Sequence, residues 1–323
     1  MKKPTPWNLI NDSLHRFIPV MLLYVVESAG SSPGRQGFFM AVNATGEMSG
    51  SIGGGIMEHK FVEMAKEKLK ASDESRVSNI KKQVHDKSAT RNQSGMICSG
   101  EQTIFLYEVN AIDAVIIRKI IASIEQNKNG TLVLAPEGIN FINQVPKKDF
   151  EYSYNSEKNW LYKEKTGYKN QLFIIGGGHC SLAFSKFMRT MDFYIRVYDD
   201  RDNLPTMADN SFAHEKKIIN DYSELAQLID NGDHHYVVIM TFGYRTDDIA
   251  LKALLGKNFR YFGLLGSKKK IEKMFDDYRR AGIPEEKLQR IRTPIGLPIK
   301  SQTPEEIAIS IAAEIILEKN KDL

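Results

Sequence analysis

The chain has 323 residues, 42% of them hydrophobic and 26% charged, a globular balance that excludes wholesale disorder and leaves room for two domains with a core each. Its net charge of +4 comes from 44 basic and 40 acidic residues, with no basic block longer than Lys268-Lys269-Lys270, so no nucleic-acid partner is expected. No apolar run approaches the roughly 18 residues of a membrane span, and the opening Met1 to Trp7 lacks an apolar signal core, so no membrane association and a cytoplasmic location are expected.

Thr5 before Pro6 is a helix start, with a hydroxyl cap and a proline where no N–H is needed, and it predicts a helix to about Arg16. Pro19 to Glu27 is almost continuously apolar, which predicts a strand buried on both faces. It should end at the Gly-, Ser- and Pro-rich stretch Ser28 to Gly37. Phe38 to Val42 and Glu47 to Ser51 read as a hairpin around Asn43 to Gly46. The hairpin runs into Gly53-Gly54-Gly55 and a helix from Ile56 to Lys70, with Phe61, Ala65 and Leu69 on one face and Glu58 in the first turn. These glycines either expose backbone N–H groups to an anion at the positive end of the helix or simply make a tight turn, with Glu58 favouring the dipole.

Ser72 to Asn92 is polar, irregular or a weak strand. Cys98 then sits in a glycine-flanked loop before Gln102 to Val109, a strand of period two. A thiol there is exposed and reactive, or a soft-metal ligand, or a small buried hydrophobe. The second cysteine, Cys180, falls in the other predicted domain, so neither a disulfide nor a thiolate zinc site is expected. Ala111 to Asn127 is an amphipathic helix and Thr131 to Ala135 a buried strand. From Pro136 the pattern weakens into an ancillary hairpin and a linker near Gly167 to Asn170. The expected domains are 1–168 and 169–323.

In the second domain strands and helices alternate. Strands are predicted at Leu172 to Ile175, Tyr194 to Tyr198, Lys217 to Ile219, Tyr236 to Thr241 and Tyr261 to Leu265, with helices at Cys180 to Thr190, Tyr222 to Ile229, Asp247 to Leu255 and Lys268 to Ala281. This order predicts a Rossmann-like, doubly wound parallel sheet with ligands at the carboxyl ends of its strands. The fold class is therefore α/β, an N-terminal α/β domain followed by that Rossmann-like domain. A capping box at Thr303 to Glu306 opens a last helix that is apolar nearly all round, suited to a sheet edge or a subunit contact.

Four strand-end loops carry the chemistry. Gly176-Gly177-Gly178-His179-Cys180-Ser181 matches G-x-G-x-x-G apart from its last position. Asp199, 23 residues after Gly176, stands where an acid binds a ribose hydroxyl, and Arg201 keeps a phosphate there open. His179 either meets a ligand or is structural. Thr241 ends the fourth strand. Gly266 and Ser267 precede three lysines in a helical first turn, either a solvated run or a hint of a phosphate-bearing ligand. Ser-His-Asp, H-E-x-x-H and P-loop signatures are missing from the sequence.

Taken together, Gly30-Ser31-Ser32-Pro33, Gly50 to Gly55 with Glu58, Gly95 to Gly100 around Cys98, Phe173 to His179, Tyr198 to Arg201, Gly263 to Lys268, Pro294 to Leu297 and Thr303 to Glu314 resemble the XdhC/CoxI family of xanthine dehydrogenase accessory proteins over nearly the whole length. The resemblance implies a carrier of molybdenum cofactor (molybdopterin). It would hold the cofactor while a cysteine desulfurase supplies the terminal sulfido ligand, then insert it into a xanthine dehydrogenase-like molybdenum hydroxylase. It implies Cys98 as the reactive or metal-contacting thiol. Ser31, Ser32, Gly53 to Gly55, Glu58, Gly176 to His179, Asp199, Arg201, Thr241, Gly266 and Ser267 would line the cofactor. A homodimer is the expected assembly. Departures include Gly34 between Pro33 and Arg35, and Phe242 and Tyr244 where relatives often carry histidines. The alternative reading is an NAD-dependent oxidoreductase, with NAD or another dinucleotide on the Rossmann-like domain.

Overall fold

A computed structural model of the chain describes residues 5–70, 79–84 and 100–321. They form two compact units, Met1–Gly167 and Tyr168–Leu323.

Unit 1 begins with helix α1 (Pro6–His15), whose Thr5 hydroxyl accepts the Asn8 N–H at 3.3 Å. Strand β1 (Val20–Gly30) follows. Because side chains alternate along a strand, Val20, Leu22, Tyr24 and Val26 enter one core while Met21, Leu23 and Val25 enter the other. The apolar run is thus buried on both faces. β1 runs three residues past its expected end, since Ser28, Ala29 and Gly30 stay in register with Gln102, Glu101 and Gly100 after a bulge at Val25/Glu27. Strands β2 (Phe39–Asn43) and β3 (Met48–Gly50), helix α2 (Gly55–Lys70), and strands β4 (Asn79–Val84) and β5 (Gly100–Val109) complete an antiparallel sheet of order β3-β2-β1-β5-β4.

α2 covers one face of this sheet through Met57, Phe61, Val62, Ala65 and Leu69. The other face is covered by α1, by α3 (Ala114–Glu125) and by a second antiparallel sheet, which brings in Leu132, Leu134, Trp160 and Tyr162. That sheet contains β6 (Thr131–Ala135), β7 (Gly138–Ile142), β8 (Phe150–Ser156) and β9 (Asn159–Lys165), in the order β7-β6-β9-β8. It is a core layer, not the ancillary hairpin expected from its weak pattern.

Unit 2 is a five-stranded, wholly parallel sheet made of β10 (Asn170–Ile175), β11 (Phe193–Asp199), β12 (Glu215–Ile218), β13 (Gly232–Ile239) and β14 (Phe259–Leu264). Its order β12-β11-β10-β13-β14 reverses between β10 and β13, so the ligand crevice belongs outside the ends of those two strands. α4 (His179–Met188), α5 (Pro205–Asp209) and α10 (Pro304–Lys319) pack on one face. α6 (Leu225–Leu228), α7 (Tyr244–Leu254), α8 (Lys268–Arg280) and α9 (Glu285–Gln289) pack on the other. α10 lies against α4, burying Ala308, Ile311, Ala312 and Ile315. Asn170, expected in the linker, is the buried first residue of β10. No helix among the described residues is long and apolar enough to cross a membrane.

Candidate functional site

At one end of the large sheet in unit 1, two motif loops meet the start of β5. A Cβ on Gly100 would stand 2.6 Å from the Ser32 nitrogen and 2.7 Å from the Ser31 carbonyl carbon, so only glycine lets β5 start against that loop. Ser32 is buried and its Oγ donates to the Gly34 carbonyl at 3.0 Å, whereas Ser31 is exposed. The carboxamide of Gln102, buried near the start of β5, donates to the Ile52 carbonyl at 3.0 Å and ties the second loop to that strand. Arg35 Nη1 donates to the Gly30 carbonyl at 3.0 Å. Cys98, two residues before Gly100 in sequence, lies outside the described residues, as does the rest of its loop.

The turn before α2 is occupied from within. Glu58 Oε2 accepts from Ser51 Oγ at 2.7 Å, Ile52 N at 2.8 Å and Gly54 N at 2.9 Å. Gly53 N donates to Ser51 Oγ at 3.1 Å. Burial pushes the Glu58 carboxyl upward, but these hydrogen bonds outweigh it and hold it below the usual glutamate value. Of the two readings open for Gly53 to Gly55, the structural one describes this geometry: Glu58 is itself the anion at the helix start.

Unit 2 arranges its loops differently. Gly176 adopts φ +111°, and a Cβ there would lie 2.3 Å from the Met240 carbonyl oxygen, so this glycine lets the ends of β10 and β13 close up. Gly177 donates to Asp199 Oδ2 at 2.6 Å and packs on Met207, while its carbonyl accepts from Thr206 Oγ1 at 2.6 Å. Gly178 has nothing within 4 Å of where a Cβ would stand, and α4 begins there with no side-chain cap. The first amides of this ten-residue helix thus have no side-chain cap, and exposed His179 stands beside them.

Asp199 is fully buried at the end of β11 and carries four donors. Oδ1 accepts from Arg201 N at 3.0 Å and Arg201 Nε at 2.8 Å; Oδ2 accepts from Gly177 N and from Arg201 Nη2 at 2.7 Å. Burial raises its carboxyl pKa, but Arg201 and Gly177 lower it further, to a net value below the ordinary one. After β13, Thr241 donates through N at 3.1 Å and Oγ1 at 2.5 Å to Asp247 Oδ1, and Gly243 N donates to Thr246 Oγ1 at 3.2 Å. Asp247, fully buried, also pairs with Lys270, the third of the three lysines after the Ser267 cap. Burial holds its carboxyl above the usual aspartate range, against the opposing pull of Lys270 and Thr241. Lys268 and Lys269 are exposed, and Gly266 is half-buried before them.

Cys180 is half-buried. Burial, with Glu305 adding to it, raises its thiol pKa, which makes it a poor nucleophile. Among the described residues no three His, Cys, Asp or Glu side chains cluster as a metal site. Sequence reasoning missed Gln102, Asp247 and the α5 residues Thr206 and Met207. Gln102 was visible only as a carboxamide at the start of a period-two strand; Asp247 was visible only as an acid in a helical first turn.

Two family models match: the XdhC and CoxI family over residues 14–79, and the XdhC Rossmann domain over residues 172–315. The first spans β1, Ser31, Ser32, Gly53 to Gly55 and Glu58; the second spans the whole parallel sheet and α4. The chain belongs to the XdhC and CoxI family. It is 25% identical over 308 residues to the uncharacterized protein YqeB of Escherichia coli, covering 94% of this chain and 44% of that protein. It is 27% identical over 152 residues to a probable xanthine dehydrogenase subunit of Bacillus subtilis, covering 46% of this chain and 42% of that protein. The chain thus spans less than half the length of these two curated relatives. A crystal structure described as that of a xanthine dehydrogenase from Bacillus halodurans matches with a TM-score of 0.74 at 22% identity, over 99% of this chain and 97% of that one, a likeness of fold.

Proposed function

We propose that this chain is an accessory protein of a xanthine dehydrogenase-like molybdenum hydroxylase, one that binds molybdenum cofactor, supports its sulfuration with a cysteine desulfurase and inserts it into the client. It would act as a cofactor chaperone, and as a homodimer. The cofactor is cargo. The observation that carries the reading is the interlocked end of unit 1, where Gly100, the start of the strand that follows Cys98, is pressed onto Ser31 and Ser32 and tied to the Gly53 to Gly55 turn through Gln102. Family membership and the name of the Bacillus subtilis relative support the client class.

The donor sets favour one of the two glycine turns for a molybdopterin phosphate. The turn before α2 does not fit it, because Glu58 already fills the amides and would repel a second anion. The turn before α4 fits, with open space at Gly178, no side-chain cap, His179 next in the chain, and Arg201 joined to the turn through Asp199, which also accepts from Gly177. Gly178, His179 and Arg201 would therefore hold the phosphate. The test is to purify the full chain from cells that make the cofactor and to quantify the released pterin by fluorescence. Retained pterin is expected, and Cys98→Ser should lower client activation while leaving the melting temperature unchanged. A chain that carries no pterin and leaves client activity unaffected when deleted sinks the proposal.

The strand order and Gly176 to Gly178 also favour a second reading, an NAD-dependent oxidoreductase. Asp199 weakens it: a carboxylate offers about four lone-pair sites, and four donors from the chain already use them, leaving none for a ribose hydroxyl. Calorimetry with NAD would decide; tight binding abolished by Asp199→Ala would favour the oxidoreductase.

A further inference from the structure

We infer that Phe242 and Arg201 form a stacking platform over the glycine turn of unit 2, taking the flat heterocycle of a phosphate-bearing ligand, a pterin or an adenine. This rests on one half of the function proposed above, that the strand-end crevice holds such a ligand.

Arg201 follows β11 and Phe242 follows β13, and β10 lies between those strands. Strands two apart in a sheet are separated by about 9.5 Å, so side chains from them meet only by reaching across the strand between. They do meet: the Arg201 guanidinium lies over the Phe242 ring, 5.6 Å from its centroid. The contact therefore spans the end of β10, where Gly176, Gly177 and Gly178 turn into α4.

Both partners are held in place. Arg201 is fixed by its fork on buried Asp199, which uses Nε and Nη2. Among the described residues Nη1 makes no hydrogen bond, so it remains for an anion. Phe242 is 87% exposed, yet the residues on either side are anchored, Thr241 to Asp247 and Gly243 to Thr246. An aromatic ring projected into water from a tied-down loop is a surface prepared for a flat apolar partner. Among the described residues nothing lies within 4 Å of where a Cβ would stand on Gly178 or on Gly243, so the two loops beside the platform are open at these positions. Stacking accepts any flat ring, while the uncapped helix start selects for a phosphate.

The test is calorimetry on the full chain with AMP, with neopterin phosphate and with inorganic phosphate. Wild type should bind both ring-bearing probes, Phe242→Ala should weaken them about tenfold or more, and Phe242→Trp should restore them. Inorganic phosphate should bind equally to all three. Because Phe242 is exposed, the melting temperature should be the same in each. Tighter neopterin phosphate identifies a pterin ligand and tighter AMP a nucleotide; either supports the platform. Wild type failing to bind both ring-bearing probes at millimolar concentration overturns it, as does Phe242→Ala binding them like wild type. A chain that retains no molybdopterin from cells yet binds AMP through Phe242 sinks the carrier function alone. One that carries molybdopterin regardless of Phe242 sinks the platform alone.

Discussion

Gly176 and Gly178 stand two residues apart in one glycine turn and should respond in opposite ways to a methyl group. At Gly176 an alanine would sit at φ +111°, with its Cβ 2.3 Å from the Met240 carbonyl oxygen and 2.9 Å from the Thr241 Cα. The backbone conformation costs about 1–3 kcal/mol and the forced shift of a neighbouring strand end about as much again. At roughly 2–4 °C per kcal/mol for a unit of this size, a combined loss of about 2–6 kcal/mol lowers its melting by about 5–20 °C. At Gly178 φ is −72° and nothing lies within 4 Å, so Gly178→Ala should cost under about 1 kcal/mol. Calorimetry of the full chain reads unit 2, and tryptophan emission supplies a control, because Trp7 and Trp160 both lie in unit 1. Phosphate binding should follow the reverse order, since the Gly178 methyl intrudes where an anion would approach. A Gly176→Ala chain whose unit 2 melts like wild type would refute the reasoning, and so would a Gly178→Ala chain as damaged as Gly176→Ala.

Arg201→Gln should destabilise unit 2 by about 3 kcal/mol in urea titration, more than Asp199→Asn, because it leaves the fully buried Asp199 carboxylate without its cation, whereas Asp199→Asn leaves unpaired only an Arg201 side chain that is itself 36% exposed. His214 accepts the Ile195 N–H on Nδ1 at 2.9 Å and meets Tyr168 OH through Nε2 at 2.6 Å, and burial with nearby Arg189 lowers its pKa to about 4. A depressed histidine pKa means the folded state favours the neutral ring, so its contribution is complete above about pH 6.5 and is lost as pH falls toward 4. An NMR titration placing the imidazole near 6.5 in the folded chain would contradict this. Glu58→Gln should cost unit 1 about 1–2 kcal/mol at pH 7, as three charge-assisted hydrogen bonds weaken. The wild-type advantage is present above the ordinary glutamate value and fades as pH falls through the lower folded one, so the two chains should converge in acid.

Unit 2 was legible because its local signals agree with its topology: short apolar runs, helical periods and a right-handed alternation leave few ways to build a sheet. β1 was legible as a strand, but not its partners, since burial on both faces is equally the mark of a central parallel strand. Only the long-range pairing with β5 and β2 makes it antiparallel. The second sheet of unit 1 was obscured because β8 is largely exposed and β9 buries Trp160 and Tyr162 on either side of an outward Leu161 before the charged run Lys163-Glu164-Lys165, so neither strand shows a clean apolar alternation. α5 escaped because five residues carry no helical period, yet its Thr206 and Met207 set the floor of the Gly177 turn.

The candidate site shows a sharper limit. Gly53 to Gly55 and Gly176 to Gly178 look alike in sequence: three glycines, then a helix. Their electrostatics are opposite, and the difference lies in a residue three or more positions away. On α2, Glu58 reaches back and satisfies the turn's own amides, which makes the turn rigid and repels anions. On α4, the acid that could do the same, Asp199, comes from the neighbouring strand. It takes only Gly177 and turns its remaining capacity to Arg201, leaving the helix start uncapped and a cation beside it. A glycine turn becomes an anion site according to where the nearest carboxylate's lone pairs are spent, and only the tertiary structure fixes that. The phosphate of a carried cofactor is therefore expected at α4, and the role of the α2 turn is to hold Ile52 and Gln102 in place at the end of unit 1 where β5 begins.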